Sequence, residues 1–148
     1  MTNSTISVDS LQSAGSIGVI TCGSIRLPDT ETCFTWILPY LNQKWTEQTD
    51  CYHWFARIQR EVFGRDTPLI ADADYRHQWQ VTAKPSDGDA VIMYSHARDV
   101  RLHHIGVWHD ADGGGVVHAQ TGGCVCFDSL ASLQQQQWTV REFLTPCQ

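Results

Sequence analysis

The sequence lacks the features of a membrane-spanning or secreted protein. No apolar run approaches the roughly 20 residues that a helix needs to cross a bilayer, so we expect no membrane insertion. The N-terminus, MTNSTISVDSLQS, has no basic start followed by an apolar stretch, and we therefore predict no signal peptide. Basic residues are few, 10 against 16 acidic ones, and the net charge of -6 argues against binding to nucleic acid or to anionic membranes.

The chain does have enough apolar material for one folded domain. Its 148 residues are 42% hydrophobic and include six Trp, which suits a core with clefts or a surface that stacks against a ligand. Six cysteines are present, without a Cys-x-x-Cys pair. A chain of this length does not need disulfides, so we expect mostly free thiols and synthesis in a reducing compartment.

The clearest predicted element is a helix over residues 51–63. Asp50 stands at the N-cap position, apolar residues then recur at intervals of three or four, and Gly64 supplies the stop. A second helix is predicted over 33–43, CFTWILPYLNQ, with a break at Pro39. Weaker patterns predict a strand over 16–22 and short helices near 75–79 and 129–134.

From residue 85 onwards the pattern changes to short strands separated by turns. We predict strands over 90–94, 102–108, 115–120, 124–127 and 137–143. Helices followed by a meander of strands predict an α+β fold with an antiparallel sheet. Residues 1–35 form an N-terminal extension to this domain, which covers 36–148.

Cys51 is the first candidate for chemistry, because it occupies the first turn of the predicted 51–63 helix. Unpaired N–H groups at a helix N-terminus favour an anion, so this position is expected to lower the pKa of the thiol. A thiolate is a nucleophile, and it works best with an imidazole beside it. The competing interpretation is a buried, inert cysteine on the core face of the helix.

Two histidines are placed to assist Cys51. In the predicted strand over 102–108, His104 shares one face with Gly106, whose missing side chain leaves space for another backbone or a ligand. His118 lies on the next predicted strand. Antiparallel neighbours can bring His104 and His118 into contact, and a polar group of this kind would orient the imidazole that acts as the base.

The remaining histidines and cysteines carry weaker signals. His103 points away from the face of His104 and is interpreted as structural, while His96 and His109 look like exposed loop or strand-end residues. A zinc site formed by Cys124, Cys126 and a histidine is conceivable, but Cys-x-Cys spacing alone is poor support for one.

In this order, the residues resemble the NlpC/P60 cysteine peptidases, which cut peptide stems of bacterial cell walls, and in particular the phage tail-associated branch. The segment 50–64 is similar to the family's Asp-Cys-aromatic-Gly-Leu start and Arg-Glu-x-x-Gly helix end. Residues 87–91, DGDAV, are similar to its Pro-Gly-Asp turn and strand. Residues 104–108, HIGVW, and 117–119, VHA, are similar to its His-Val-Gly-Ile-Tyr and His-Ala strands.

The resemblance covers about residues 36–145 and implies a papain-like catalytic domain, with N-terminal helices packed on an antiparallel β-sheet. It implies that Cys51 is the nucleophile, His104 the general base and His118 the orienting third residue. This two-step acyl transfer requires no metal or other cofactor. The implied substrate is a peptidoglycan stem peptide. The implied site of action is the periplasm, where a virion tail protein made in the bacterial cytoplasm attacks the cell wall. Residues 1–35 would dock onto partners at the tail tip or baseplate.

Departures from the family pattern concern the substrate side of the site. His53 stands where the family has a small glycine, and residues 45–49, WTEQT, lack its common Gly-Gly. The candidate substrate-binding residues are Trp45, Tyr52 and His53, with core packing as the alternative for Trp45 and Tyr52. Alternatives for the whole chain are a weakly active or inactive structural module of a tail assembly, an amidase or acyltransferase on the same scaffold, and a disulfide-stapled secreted domain.

Overall fold

A computed structural model of the protein describes residues 36–67, 75–95 and 102–148. The predicted strand over 16–22 and the whole N-terminal extension lie outside the described residues. The helices are α1 (Cys51–Phe63), α2 (Tyr75–Gln78) and α3 (Leu130–Gln135). The strands are β1 (Trp79–Thr82), β2 (Ala90–Ser95), β3 (Leu102–His109), β4 (Gly115–Ala119), β5 (Val125–Asp128) and β6 (Trp138–Pro146), with a 3-10 turn at Ala111–Gly113 between β3 and β4.

The six strands form one antiparallel sheet in the order β1-β6-β2-β3-β4-β5. Helix α1 packs on one face of this sheet. The predicted α+β class with an antiparallel sheet is therefore confirmed. No helix in the described parts of the chain is both long and apolar enough to cross a membrane.

Helix α1 has the bounds that its sequence predicts, because the local signals at both ends agree. The side chain of Asp50 accepts a hydrogen bond from the backbone N–H of His53 at 2.9 Å, which satisfies one of the free donors of the first turn. Gly64 ends the helix in the left-handed conformation with φ of 65°. Between them, Phe55 and Ile58 are buried against the sheet.

The two faces of the sheet carry separate apolar clusters. Alternate residues of β3 to β5 turn toward α1, so Ile105, Val107 and Val117 lie in the core cluster that contains Phe55 and Ile58. On the opposite face a second cluster is covered by α3 and includes Val91, Met93, Trp108, Val116 and Leu133. His104 follows the alternation of Trp108, which places it on that second face.

Two predictions of local structure were wrong. The predicted helix over 33–43 is a series of turns from residue 36 to 42, with Leu41 N–H donating to the Ile37 carbonyl at 3.2 Å. Residues 33–35 lie outside the described residues. Pro39 has no N–H to donate and disfavours the helical conformation of Leu38, while Ile37 and Tyr40 are buried in the core without a helix.

Strand β1 was not predicted from the sequence, and its first residue, Trp79, was instead included in the short helix predicted near 75–79. The strand pairs with β6 at the edge of the sheet, from Trp79 opposite Pro146 to Thr82 opposite Phe143. Of its four residues only Trp79 is buried, and Val81 is exposed. A short edge strand with one buried residue shows no apolar alternation, which is the signal that sequence patterns depend on.

Candidate active site

Three buried side chains on β3, β4 and β5 form a hydrogen-bonded relay. Nε2 of His104 lies 2.8 Å from Nδ1 of His118, and Nε2 of His118 lies 2.8 Å from Oδ2 of Asp128. The structure therefore brings His104 and His118 together, as their positions on adjacent strands predict. Asp128 extends the pair by a carboxylate that sequence reasoning did not single out. We call these three residues the relay.

The strand register explains how the relay forms. Strand β4 pairs with β5 so that Val116 lies opposite Asp128 and His118 lies opposite Cys126. A Cβ atom on Gly106 would lie 2.3 Å from Cγ1 of Val116 and 3.1 Å from Cβ of His118. Glycine at this position therefore permits the close approach of β3 to β4, as the sequence predicts for another backbone.

The hydrogen-bond network assigns the protons on the two imidazoles. Burial opposes ionisation of Asp128, but hydrogen bonds from His118 and Ser132 outweigh it and lower the pKa of this carboxyl to about 2. The ionised Asp128 can only accept, so Nε2–H of His118 donates to it. In the form of His118 that carries only this proton, Nδ1 of His118 accepts from Nε2–H of His104. This assignment leaves a lone pair on Nδ1 of His104, which is the requirement for a base.

His104 is held as a neutral ring by its surroundings. Burial, followed by the electrostatic effect of His118, lowers the pKa of His104 to about 3. The indole of Trp138 stacks on the imidazole with ring centroids 4.6 Å apart and planes 22° apart. Stacking and the hydrogen bond to His118 together restrict the orientation of the ring.

Cys51 lies at the start of α1, half-buried, with its sulfur beside β3. The backbone N–H of Ile105 lies near this sulfur and acts to lower its pKa, and Ile105 directly follows His104 in the strand. The pairing of β3 with β4 covers Val107 to His109 only, so the N–H of Ile105 is not needed by β4. Among the hydrogen bonds of the described residues, none joins the Cys51 thiol to the His104 ring.

The expected lowering of the Cys51 pKa was wrong. Burial raises the pKa of this thiol, and the charge of Asp50 adds to the increase. The backbone N–H groups of Ile105, Tyr52 and Cys51 itself act in the opposite direction but do not outweigh burial. The site thus contains a neutral thiol and a neutral His104 imidazole.

Two contacts that hold the relay in place, made by Ser132 and Trp138, were not predicted from the sequence. Oγ of Ser132, in α3, donates to Oδ1 of Asp128 at 2.8 Å. The prediction ended the fourth strand at residue 127, one residue before Asp128. Continuing the alternation of that strand by one residue would have placed Asp128 on the face of Cys126 and His118. The stacking of Trp138 has no local signal, because β6 reaches His104 only through the folded sheet.

The candidate substrate-binding residues all make contacts within the protein. Trp45 packs against the α1 core cluster, and its backbone N–H donates to the Gly123 carbonyl at 3.0 Å. The hydroxyl of Tyr52 donates to the carbonyl of Thr67 at 3.1 Å. His53 is exposed two residues after Cys51, with its ring edge-on to Trp54. Binding of substrate by Trp45, Tyr52 and His53 stays a prediction.

Among the other histidines, the interpretation of His109 was wrong. His109 is buried, and its Nδ1 lies 2.8 Å from Oδ1 of Asp87. It was assigned to the exposed end of a strand, but it is the last residue of β3 and faces the core side, where it packs edge-on against Phe127. His103 is exposed, on the face opposite His104, and His96 lies outside the described residues.

The described cysteines, Cys51, Cys124, Cys126 and Cys147, are not joined in disulfides. Cys126 is also a neighbour of the relay. Its Sγ lies 3.6 Å from Nε2 of His118 and 3.3 Å from Oδ2 of Asp128. His118, Cys126 and Asp128 are the described residues whose donor atoms are close enough to hold a metal ion together, and Cys124 is not one of them.

The arrangement supplies most groups of a thiol-dependent acyl-transfer site. A cysteine opens a helix, a neutral imidazole has a free lone pair, and a second imidazole and a carboxylate fix the orientation of the first. No model of a known protein family matches the sequence, and no curated protein sequence matches it.

Proposed function

We propose that the protein is a cysteine peptidase with a papain-like fold of the NlpC/P60 type, which cleaves stem peptides of peptidoglycan. The observation that carries the proposal is the relay of His104, His118 and Asp128, together with the Cys51 sulfur near the backbone N–H of Ile105, the residue that follows His104. A nucleophile on a helix followed by two histidines on successive strands is also the order of the motifs that resemble this family.

The proposed reaction begins with attack of the Cys51 sulfur on a peptide carbonyl carbon. As the S–C bond forms, Nδ1 of His104 takes the thiol proton, and the backbone N–H of Cys51 stabilises the oxyanion. The C–N bond then breaks and His104 returns the proton to the leaving amine. Water, deprotonated by His104, hydrolyses the thioester and restores the Cys51 thiol.

His118 and Asp128 act as positioning residues in this reaction. Asp128 keeps the proton of His118 on Nε2, and His118 in turn keeps the proton of His104 on Nε2. When His104 accepts a second proton on Nδ1, the charge that develops is adjacent to this chain of acceptors. The arrangement therefore favours the imidazolium in the transition state more than in the resting site.

The biological setting follows from the resemblance to phage tail-associated peptidases. A tail-tip or baseplate protein with this activity would open the cell wall during DNA entry. Residues 1–35 would then attach the domain to the other tail proteins. The net charge of -6 suits a protein that acts on a peptide and does not bind the nucleic acid that passes through the tail.

Release of stem peptides from purified sacculi tests the activity. C51A is expected to lower the rate by at least about 10³-fold, because it removes the nucleophile and leaves only residual binding. C124S is the matched control, since Cys124 is a half-buried thiol outside the site. Both variants should keep the thermal unfolding midpoint of the wild type. Digestion by C51A as fast as by wild type would overturn the proposal.

The products separate this proposal from an amidase or acyltransferase on the same scaffold. An endopeptidase releases fragments cut between two amino acids of the stem, whereas an amidase releases the whole stem from its sugar. Mass spectrometry of the soluble fraction distinguishes the two sets of masses.

A second candidate function is a weakly active structural module of a tail assembly. Two observations favour it: burial raises the pKa of the Cys51 thiol, and the described contacts include no hydrogen bond between this thiol and His104. Equal and undetectable digestion by wild type and C51A, with both proteins folded, would support this candidate.

A further inference from the structure

The thiol of Cys126 lies beside His118 and Asp128 of the relay, and the proposed reaction does not use it. Cys126 lies opposite His118 in the β4–β5 pairing, and Asp128 follows it on the same face of β5. The three donor atoms are Nε2 of His118, Sγ of Cys126 and Oδ2 of Asp128. Their separations are 2.8 Å between nitrogen and oxygen, 3.6 Å between nitrogen and sulfur, and 3.3 Å between sulfur and oxygen.

These donors and distances suit a zinc ion. Imidazole, thiolate and carboxylate are the ligand types that Zn²⁺ takes in proteins, at about 2.0 to 2.3 Å. A triangle with these three sides has a point roughly 1.9 Å from every corner, so an ion just outside its plane meets those bond lengths with little movement of the side chains. A hard cation such as Mg²⁺ would prefer an all-oxygen set.

The three candidate ligands are largely preoriented, and one of them is accessible to solvent. His118 and Asp128 are buried and fixed by hydrogen bonds to His104 and Ser132, so two of the ligands are already oriented. Cys126 is half-buried, so an ion can reach this ligand from solvent. A three-ligand site with an open position is a geometry that Zn²⁺ adopts.

We propose that His118, Cys126 and Asp128 bind Zn²⁺, and that the bound ion switches off His104 as a base. The binding site stands on the three donors alone, while the switch rests on the proposed peptidase function. In this proposal the zinc ion acts as a reversible inhibitor of the enzyme. The ion would bind some distance along the relay from Cys51, without contact to the nucleophile.

The switch follows from the positions of the protons. Binding of Zn²⁺ to Nε2 of His118 requires the proton of that ring to move to Nδ1, which faces His104. Nε2 of His104 must then accept a hydrogen bond, so the proton of His104 moves from Nε2 to Nδ1. The Cys126 thiol loses its proton to water. The lone pair that would deprotonate Cys51 is now occupied by a hydrogen, and each imidazole still carries one proton.

Direct binding is tested on the full-length C51A protein, which has no nucleophile. Co²⁺, as a spectroscopic substitute for Zn²⁺, should bind with a sulfur-to-cobalt charge-transfer band, and Zn²⁺ should displace it. The band should persist in the double variant C51A/C124S and disappear in C51A/C126S, with affinity at least about tenfold weaker. A band that survives in C51A/C126S, or is missing in C51A, would overturn the site.

Alkylation provides a measurement on the wild-type chain, should C126S fail to fold. Zn²⁺ is expected to protect Cys126 from iodoacetamide, while Cys124 and Cys147 react as fast as without the ion. Mass-spectrometric mapping of the labelled peptides gives all three rates in one sample. Equal labelling of Cys126 with and without saturating Zn²⁺ would contradict the proposal.

The inhibitory effect is tested on sacculi. Saturating Zn²⁺ should lower wild-type activity by about tenfold or more, with recovery on adding a chelator, and should lower C126S activity far less relative to that variant's own metal-free rate. Equal inhibition of wild type and C126S would place the inhibitory ion elsewhere and overturn the switch. Zinc binding in a chain without any hydrolysis would leave the site intact and refute only the peptidase function.

Discussion

The imidazoles of His104 and His118 meet nitrogen to nitrogen at 2.8 Å, with their planes 86° apart. In this nearly perpendicular arrangement one ring presents its edge to the other, so a single pair of nitrogen atoms can form the hydrogen bond. The second nitrogen of His118 is taken by Asp128. The second nitrogen of His104 is the one that the proposed reaction uses as a base. The first prediction concerns Asp128, the carboxylate at the other end of this chain of hydrogen bonds.

D128N is expected to lower kcat on a stem-peptide substrate by about 10² to 10⁴-fold and to leave KM nearly unchanged. The substitution removes the charge that fixes the proton of His118, as it does in other triads, but does not touch the nucleophile. D87N is the matched control, because Asp87 bonds the buried His109 outside the relay. Steady-state kinetics of both variants make the comparison, and equal kcat for D128N and wild type would refute a positioning role.

The second prediction concerns the pH dependence of Cys51 alkylation. Since burial raises the pKa of this thiol, the reactive thiolate is a minor species at neutral pH and its fraction grows with pH up to that raised pKa. We expect the alkylation rate of Cys51 to rise about tenfold per pH unit from pH 6 to beyond 8, with no plateau.

H104A is the control for this profile. Because the resting site holds a neutral thiol and a neutral ring, loss of His104 should leave the shape of the alkylation curve unchanged. A plateau below pH 7 in the wild type that is lost in H104A would indicate a thiolate–imidazolium pair instead.

The third prediction concerns the stacking of Trp138 on His104. W138A removes the surface that restricts the imidazole, and we expect kcat to fall about tenfold, together with a loss of about 3 kcal/mol from the free energy of unfolding. W138F keeps an aromatic face and should restore most of kcat. Kinetics and urea unfolding of the two variants separate the effects. Equal kcat in W138A and W138F would show that the stacking has no role in orienting the base.

The fourth prediction concerns Gly106, where β3 approaches β4. A Cβ atom there would lie 2.3 Å from the Val116 side chain and 2.8 Å from the Val117 carbonyl, so G106A must push the strands apart. We expect a loss of about 1 to 3 kcal/mol in urea unfolding, with weaker activity because His118 shifts. G123A is the control, since its new Cβ would come no closer than 3.3 Å to any neighbour. Equal stability of the two variants would contradict the close packing.

Sequence patterns predicted those parts of the fold whose signals are local. Helix α1 has its cap at Asp50, its apolar stripe and its stop at Gly64 within fifteen consecutive positions, so each signal supports the others. The contact of His104 with His118 was predictable because alternation along strands and antiparallel pairing leave few alternatives. Both predictions rest on residues that lie close together in the sequence.

The features that were missed depend on the assembled sheet. Asp128 reaches His118 only because β5 pairs with β4 in one register, and Trp138 reaches His104 only because β6 lies beside β2. The raised pKa of Cys51 likewise depends on burial by elements distant in sequence, whereas its position at a helix start was visible locally. Turns at 36–42 replace the predicted helix because the core accepts Ile37 and Tyr40 in that conformation.

Because the β3–β4 pairing stops at Val107, the Ile105 amide lies near the Cys51 sulfur and is not paired with a carbonyl of β4. The resonance of that amide proton should therefore report the chemical state of the sulfur. Alkylation or acylation of Cys51 would move the Ile105 peak in a proton–nitrogen spectrum, while the Val107 peak would stay in place. The fold thus contains a spectroscopic probe for the proposed acyl-enzyme, which requires neither an added reporter group nor a chromogenic substrate.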